Sequence, residues 1–315
     1  MTVHANSSQD LHQSVMLDEV LAGLAIKPDG VYVDGTFGRG GHSGAILERL
    51  GEHGRLIALD RDPAAVAEAQ RRFAQDARFV IVHSAFSGMR AALEPLGVWG
   101  EVDGLLLDLG VSSPQLDEAE RGFSFMRDGP LDMRMDPTCG ESAAQLLAHI
   151  DEAQLADILW QLGEERFSRQ IARAVVAARA ETPITRTGQL AELISKVVFK
   201  REPGKHPATR SFQALRLWVN QELAELDAVL PQAYEALALG GRLAVISFHS
   251  LEDRRVKQFL RGEQAPELPP EIPLMQERPP ARWRTLGGAI KAASAEIARN
   301  PRSRSAVLRV AEKLS

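Results

Sequence analysis

An α/β architecture built on a doubly wound, mostly parallel sheet is the fold class this sequence predicts. Three observations carry the prediction. Short, nearly continuous apolar runs alternate with helical periodicities over residues 18–108, as expected of strands buried on both faces. A glycine-rich stretch follows directly on the first of those runs, with glycines at 35, 38, 40, 41 and 44. Asp60 ends the second run, far enough from Gly41 to place a carboxylate against ribose hydroxyls at the sheet's carboxyl edge. These features together predict a nucleoside-cofactor pocket.

The elements follow in order. A short helix over 18–24 ends near Pro28-Asp29-Gly30. A strand over 31–33 leads into the glycine loop, where the missing Cβ lets the backbone turn tightly and approach a ligand. The helix from 42 to about 50 offers free N–H groups and a positive dipole end at its start. A second strand covers 55–59, and Asp60-Arg61-Asp62-Pro63 opens the next helix with proline in its first turn. A strand over 79–82, a helix over 86–96 and a strand over 102–107, ending at Asp108, continue the alternation. The crossovers are expected to be right-handed. The glycines depart from the Gly-x-Gly-x-x-Gly spacing, so the pocket alone does not name its cofactor. A turn that merely packs a helix on a strand is the other reading.

After Asp108 the rhythm changes. Residues 109–136 form a long loop rich in Gly, Ser, Pro and charge, of a length usually tied to function. Only helical patterns follow. Leu155, Ile158, Leu159 and Leu162 share one face, as do Leu190, Leu193, Ile194, Val197 and Val198. A basic loop over 200–210 leads to one long helix carrying Val219, Leu223, Leu226 and Leu230 on a face. A fifth strand over 242–248, a helix over 251–261, a proline-rich extended loop over 263–280 and a final strand over 305–310 complete the chain. The expected organisation is a discontinuous cofactor-binding domain, residues 1–137 and 211–315, with an inserted helical domain, residues 138–210, for substrate recognition.

Composition narrows the class. The chain has 315 residues, 44% apolar and 25% charged, enough for one large domain plus an insertion. No apolar run of about 18 residues predicts a membrane span, and the polar start lacks the apolar core of a secretory signal. A single cysteine, Cys139, excludes an internal disulfide and a cysteine-rich metal site, and fits a reducing cytoplasm. Net charge is −5, yet residues 196–216 hold six Lys/Arg against one acid and residues 278–309 hold eight against one. Two such clusters point to a polyanionic partner, although a basic run can also be only a solvated face.

Several stretches are distinctive together. They include Asp34-Gly35-Thr36-Phe37-Gly38-Arg39-Gly40-Gly41-His42, Leu107-Asp108-Leu109-Gly110-Val111-Ser112-Ser113-Pro114-Gln115 and Arg121-Gly122-Phe123-Ser124-Phe125. Leu131-Asp132-Met133-Arg134-Met135-Asp136, His206-Pro207-Ala208-Thr209-Arg210, Ser247-Phe248-His249-Ser250-Leu251-Glu252 and Asn300-Pro301-Arg302-Ser303-Arg304 extend them over almost the whole chain. With these stretches the sequence resembles the bacterial small-subunit (16S) ribosomal RNA cytosine-N4 methyltransferase family. The resemblance implies S-adenosyl-L-methionine as cofactor and, as partner, 16S ribosomal RNA or the small ribosomal subunit, with no DNA and no membrane. The implied reaction is methyl transfer to N4 of a cytidine in the decoding region. It also implies that Gly40, Gly41, His42, Asp60, Phe86, Asp108 and Gln115 contact the cofactor.

Read directly, those residues allow both functional and structural roles. Phe86 follows the third strand, where its face can stack on adenine or fill the core. Asp108 can accept from the cofactor's ammonium, from a substrate amine, or cap a turn. The Gln115 amide can bond the cofactor or only its own loop. His42, at a helix start, can meet the ligand or cap the backbone. His249 is expected to support another side chain. Lys205, His206, Arg210, Arg302 and Arg304 are the candidate RNA contacts from the two basic clusters. The chain lacks the Asp/Asn-Pro-Pro-aromatic motif of many amino-group methyltransferases, which leaves the catalytic group unassigned and Phe123 and Phe125 as candidates to hold the base. Cys139 stands outside the Pro-Cys context that C5 chemistry uses.

Overall fold

The computed structural model describes residues 14–199, 204, 206–262 and 281–315. The predicted loop over 263–280 and, from the basic loop over 200–210, residues 200–203 and Lys205 lie outside them.

The first half alternates as expected: α1 (Leu17–Leu24), β1 (Val31–Asp34), α2 (Gly41–Leu47), β2 (Arg55–Asp60), α3 (Pro63–Phe73), β3 (Phe79–His83), α4 (Met89–Leu93) and β4 (Val102–Asp108). Asp62 opens α3, its carboxylate accepting from the Ala64 N–H ahead of Pro63. The expected helix over 86–96 is instead a short α4 between two 3₁₀ turns, Phe86–Gly88 and Glu94–Leu96. Pro95 lies within the second turn, where its ring hinders α-helical continuation. The loop after β4 contains a short helix, α5 (Ser113–Asp117), and a 3₁₀ turn at Ala119–Arg121.

Five helices follow: α6 (Ala143–His149), α7 (Glu152–Gly163), α8 (Ser168–Glu181), α9 (Thr187–Val197) and α10 (Thr209–Val219). The single long helix expected next is two, because α11 (Glu222–Ala236) begins after a break at Asn220 and Gln221. Gln221 is left-handed, with φ 52°, and the Asn220 carboxamide is spent on backbone groups of residues 133 and 135. Val219 consequently packs with the helices that precede it, while Leu226 and Leu230 pack under the sheet.

The chain then returns through β5 (Leu237–Ser247), α12 (Ser250–Arg261), β6 (Trp283–Thr285), β7 (Ile290–Lys291), α13 (Ser294–Arg299) and β8 (Val307–Lys313). β5 is longer than expected and β8 ends later. β6 and β7 have no counterpart in the sequence reading, since two or three residues carry no periodicity.

Among the described residues the strands run in the order β3-β2-β1-β4-β5-β8-β6, with β7 also on β8. β1 to β5 are parallel; β8 is antiparallel to β5, and β6 and β7 are antiparallel to β8. Strand alternation divides the core into two layers. Val33, Ile57, Leu59, Leu105, Leu107 and Val245 face α4, α11 and α12. Tyr32, Leu56, Leu106, Ala244 and Ile246 face α1 and α2 on the opposite side. The helical segment has a separate core, which joins Leu155, Ile158, Ile171, Leu190 and Ile194 to Phe123, Leu131, Met133 and Met135 before it and to Phe212 and Leu215 after it.

Candidate functional site

The strand order reverses beside β1, whose neighbours are β2 and β4. A crevice opens at the carboxyl ends of strands at such a point. There the glycine loop is braced from below. Asp34 is buried, accepting from Ser43 Oγ at 2.7 Å and from the Thr36 N–H at 3.1 Å. Thr36 Oγ1 in turn accepts from the Asp108 N–H at 2.7 Å, tying the end of β1 to the end of β4. Burial raises the Asp34 carboxyl pKa, against the pull of Ser43 and His42.

Two glycines are needed here for space. Gly40 precedes α2 in the left-handed region, φ 69°, and a Cβ would run into the Phe37 ring. A Cβ on Gly41 would overlap Ser14 Oγ, because residues 14–16 lie across the start of α2. That strap is held by the Met16 N–H donating to buried Glu296 at 2.8 Å and by His42 Nε2 donating to the Val15 carbonyl at 3.0 Å.

The cleft above this loop has a volume of about 510 Å³. Of the sequence-predicted site residues, Gly41, His42, Asp60, Phe86, Asp108, Gln115 and Arg302 line it together. Gly40 shapes the loop without forming its wall. Asp60 accepts from the Gly38 N–H at 2.7 Å and the Asp62 N–H at 2.8 Å, one on each oxygen. Burial nevertheless pushes its pKa up to about 6. Each oxygen keeps a lone-pair direction for a further donor. Phe86 is half-buried, packed against the layer under α11 while also facing the cleft.

Asp108 is one of several buried polar groups among the described residues that lack a partner, and it lies on the cleft wall. Its Oδ1 is buried and meets no hydrogen-bond donor, and its Oδ2 lies 3.6 Å from His42 Nδ1. Burial raises its pKa to about 6; His42 opposes the shift, and Asp34 and Glu252 add to it. A buried carboxylate oxygen without a donor is costly unless a ligand supplies one. His42 does not cap α2: its ring bridges the strap and Asp108.

Gln115 is engaged at both ends of its amide. Oε1 accepts from the Ser112 N–H at 2.9 Å, and Nε2 donates to Asp62 Oδ2 at 2.8 Å. Arg121 donates to the same Asp62 oxygen at 2.8 Å and reaches the carbonyls of residues 134 and 135. Asp62 and Arg121 thereby lock the loop after β4 to the tip of β2. Asn220 continues the lock: Oδ1 accepts from the Met135 N–H and Nδ2 donates to the Met133 carbonyl, both at 2.7 Å. Met133, between these contacts, is left-handed at φ 65°, a conformation a non-glycine residue keeps only when its surroundings hold it. The sequence did not mark Asp62, Arg121 and Asn220 as braces of the site; the signals it held were Asp62 as a helix cap before Pro63 and Arg121 at the head of a family-like stretch.

The far wall holds Phe248, Glu222 and Glu252. Glu222 is paired with Arg216 at 2.7 Å. Burial works against the Glu252 carboxylate, yet His249, Arg216 and the Phe248 N–H more than cancel it and lower its pKa. The His249 ring stands 3.1 Å from Glu252 and outside the cleft lining. Cys139 is exposed and also outside it.

The remaining basic candidates are dispersed. Arg302, at the cleft, pairs with exposed Asp117 at 2.6 Å. Arg304 is exposed nearby. Arg210 donates to the Glu164 carbonyl at 2.7 Å, and exposed His206 stacks on Phe125. Phe123 is buried in the core of the helical segment. No helix among the described residues is long and apolar enough to cross a membrane.

Comparison with known proteins bears on the same architecture. The profile of the MraW methylase family matches residues 9–314. The chain is 54% identical over 306 residues to the ribosomal RNA small subunit methyltransferase H of Coxiella burnetii (strain RSA 331), covering 97% of this chain and 100% of that protein. It is 59% identical to the protein of the same name from Thioalkalivibrio sulfidiphilus, over 96% of this chain and 98% of that one. Among solved structures it is similar to an rRNA methylase from Streptococcus thermophilus, with a TM-score of 0.41 and 11% identity over 95% of this chain and 92% of that one. With the family profile spanning nearly every residue and relatives matched end to end, the chain belongs to the MraW methylase family.

Proposed function

We propose that this protein transfers a methyl group from S-adenosylmethionine to N4 of a cytidine in the decoding region of 16S ribosomal RNA. The observation that carries the reading is Asp108: an unpartnered, buried carboxylate oxygen on the wall of a glycine-loop cleft at the sheet's switch point. The cofactor's methionine ammonium fits that oxygen. Its ribose hydroxyls fit the remaining lone pairs of Asp60, and its adenine fits the face of Phe86. When bound, the cofactor supplies a methyl group made electrophilic by the sulfonium.

The chain's own residues then position and hold. The cytosine amine is a weak nucleophile, so in-line alignment is the main contribution available, worth up to roughly 7–11 kcal/mol in favourable cases. The target base is unstacked into the cleft. The helical segment and the basic clusters hold RNA backbone and shape. We assign no side chain as an obligatory base, since the proton can leave the product ammonium after transfer. Mass mapping of methylated nucleosides in small-subunit RNA, with and without the protein, tests the proposal. Loss of a single N4-methylated cytidine without the protein is expected; a methyl on C5, or no change, would overturn it.

A further inference from the structure

The surface of the helical segment carries an aromatic pair that reaches from its core to solvent. The rings of Phe125 and His206 lie face to face, centroids 4.4 Å apart and 27° from parallel. Phe125 meets Phe212 edge-on on another side, at 4.9 Å and 80°, and Phe212 belongs to the buried core of this segment. Phe125 is therefore packed between the imidazole and the buried core. His206 is held from a second direction, its Nδ1 accepting from the Ala208 N–H at 3.2 Å. In the neutral ring this places the hydrogen on Nε2. The result is an oriented ring, filled on one face by Phe125, on a residue exposed to solvent.

Contacts connect this ring to the cleft. Arg210, four residues on, donates to the Glu164 carbonyl at 2.7 Å. The Glu164 carboxylate is 3.5 Å from Ser250 Oγ. Ser250 opens α12 just after Phe248, and both Phe248 and Glu252 line the cleft. Arg210 and Glu164 thus join the segment that carries His206 to the start of α12, beside the Phe248 wall of the cleft.

We propose that His206, backed by Phe125, is a stacking platform for an unpaired RNA base neighbouring the target cytidine. The inference rests on the RNA reading above and adds a specific subsite to it. Unpaired bases are recognised by stacking on aromatic rings, and a ring whose orientation is already fixed loses little freedom when a base lands on it.

The test is steady-state methylation of small ribosomal subunits lacking the modification, with calorimetry of cofactor binding as a check on folding. His206→Ala should raise the KM for the subunit about 5- to 100-fold, as removal of one stacking contact does, with cofactor affinity unmoved. His206→Phe, which keeps a ring, should stay within about threefold of wild type. The dependence of log KM on log salt should not change in His206→Ala, because no phosphate contact is lost. Should His206→Ala not fold, His206→Gln keeps an acceptor for the Ala208 N–H without a ring and is expected to behave as described for alanine. An unchanged KM in these ringless variants would overturn the platform alone, as would a phenylalanine variant as poor as alanine with a shallower salt slope. Wild-type protein that puts no methyl on the subunit would overturn the functional reading and the platform with it.

Discussion

Asp108→Asn separates what a buried charge costs the fold from what it contributes to function. The Asp108 carboxyl has a pKa of about 6, against an ordinary value of 3.8, because burial disfavours the anion; Asp34 and Glu252 add to this and His42 opposes it. Ionising it at pH 7 therefore costs the folded chain up to about 3 kcal/mol relative to the unfolded one. Between about pH 4 and pH 6 the folded state holds more protons than the unfolded state, so this group makes stability fall as pH rises through that window. Asparagine keeps the shape without the charge. In urea unfolding, the variant should be more stable than wild type at pH 7, with the difference vanishing toward pH 4. Cofactor binding should move the other way. Losing a charged hydrogen bond to the methionine ammonium is worth about 1.5–3 kcal/mol, or roughly 10- to 100-fold in dissociation constant. In wild type that affinity should weaken below about pH 6, where the proton must be displaced; in the variant this dependence should disappear. Turnover should drop less than affinity. A variant that is less stable at pH 7, or that binds the cofactor as tightly as wild type, would refute the reasoning. Normal affinity with turnover reduced more than about 10⁴-fold would make Asp108 the base instead.

Other perturbations test the rest of the site. Asp60→Ala should weaken S-adenosylmethionine binding at least about tenfold by calorimetry, through lost ribose contacts and a glycine loop released from the Gly38 N–H; an unchanged constant in a folded variant would remove Asp60 from the pocket. Asn220→Ala strands the buried N–H of Met135 and carbonyl of Met133, at about 1–3 kcal/mol each. Urea unfolding should show a loss of about 2–6 kcal/mol, and a loss below about 1 kcal/mol would mean that water or a backbone shift takes the amide's place. Arg302→Ala and Arg304→Ala should each flatten the salt dependence of RNA binding by about one unit of slope if the side chain meets a phosphate. Slopes equal to wild type would show these arginines to be solvated only, with Arg302 serving its pairing to Asp117.

Much of this protein is written locally. Apolar runs of strand length set β1 to β4, glycines and a proline placed the turns, and Asp60 and Asp108 were legible as strand-end carboxylates because a strand's end is marked by its own sequence. Gly41, His42, Phe86 and Gln115 were named through the family resemblance and not from local pattern, and they line the same cleft. Tertiary structure decided what those residues do. Gln115 gives its amide to Asp62, 53 positions away, and Arg121 joins that carboxylate across 59. Asn220 splits an apparently continuous helix because its carboxamide finds backbone groups 85 and 87 residues earlier. β6 and β7 exist because β8 offers them an edge. Periodicity and turn chemistry act over neighbouring residues and so leave a pattern along the chain. A hydrogen bond between distant segments leaves none, since either partner taken alone is an ordinary polar side chain until the packed sheet and the helical core bring the two together.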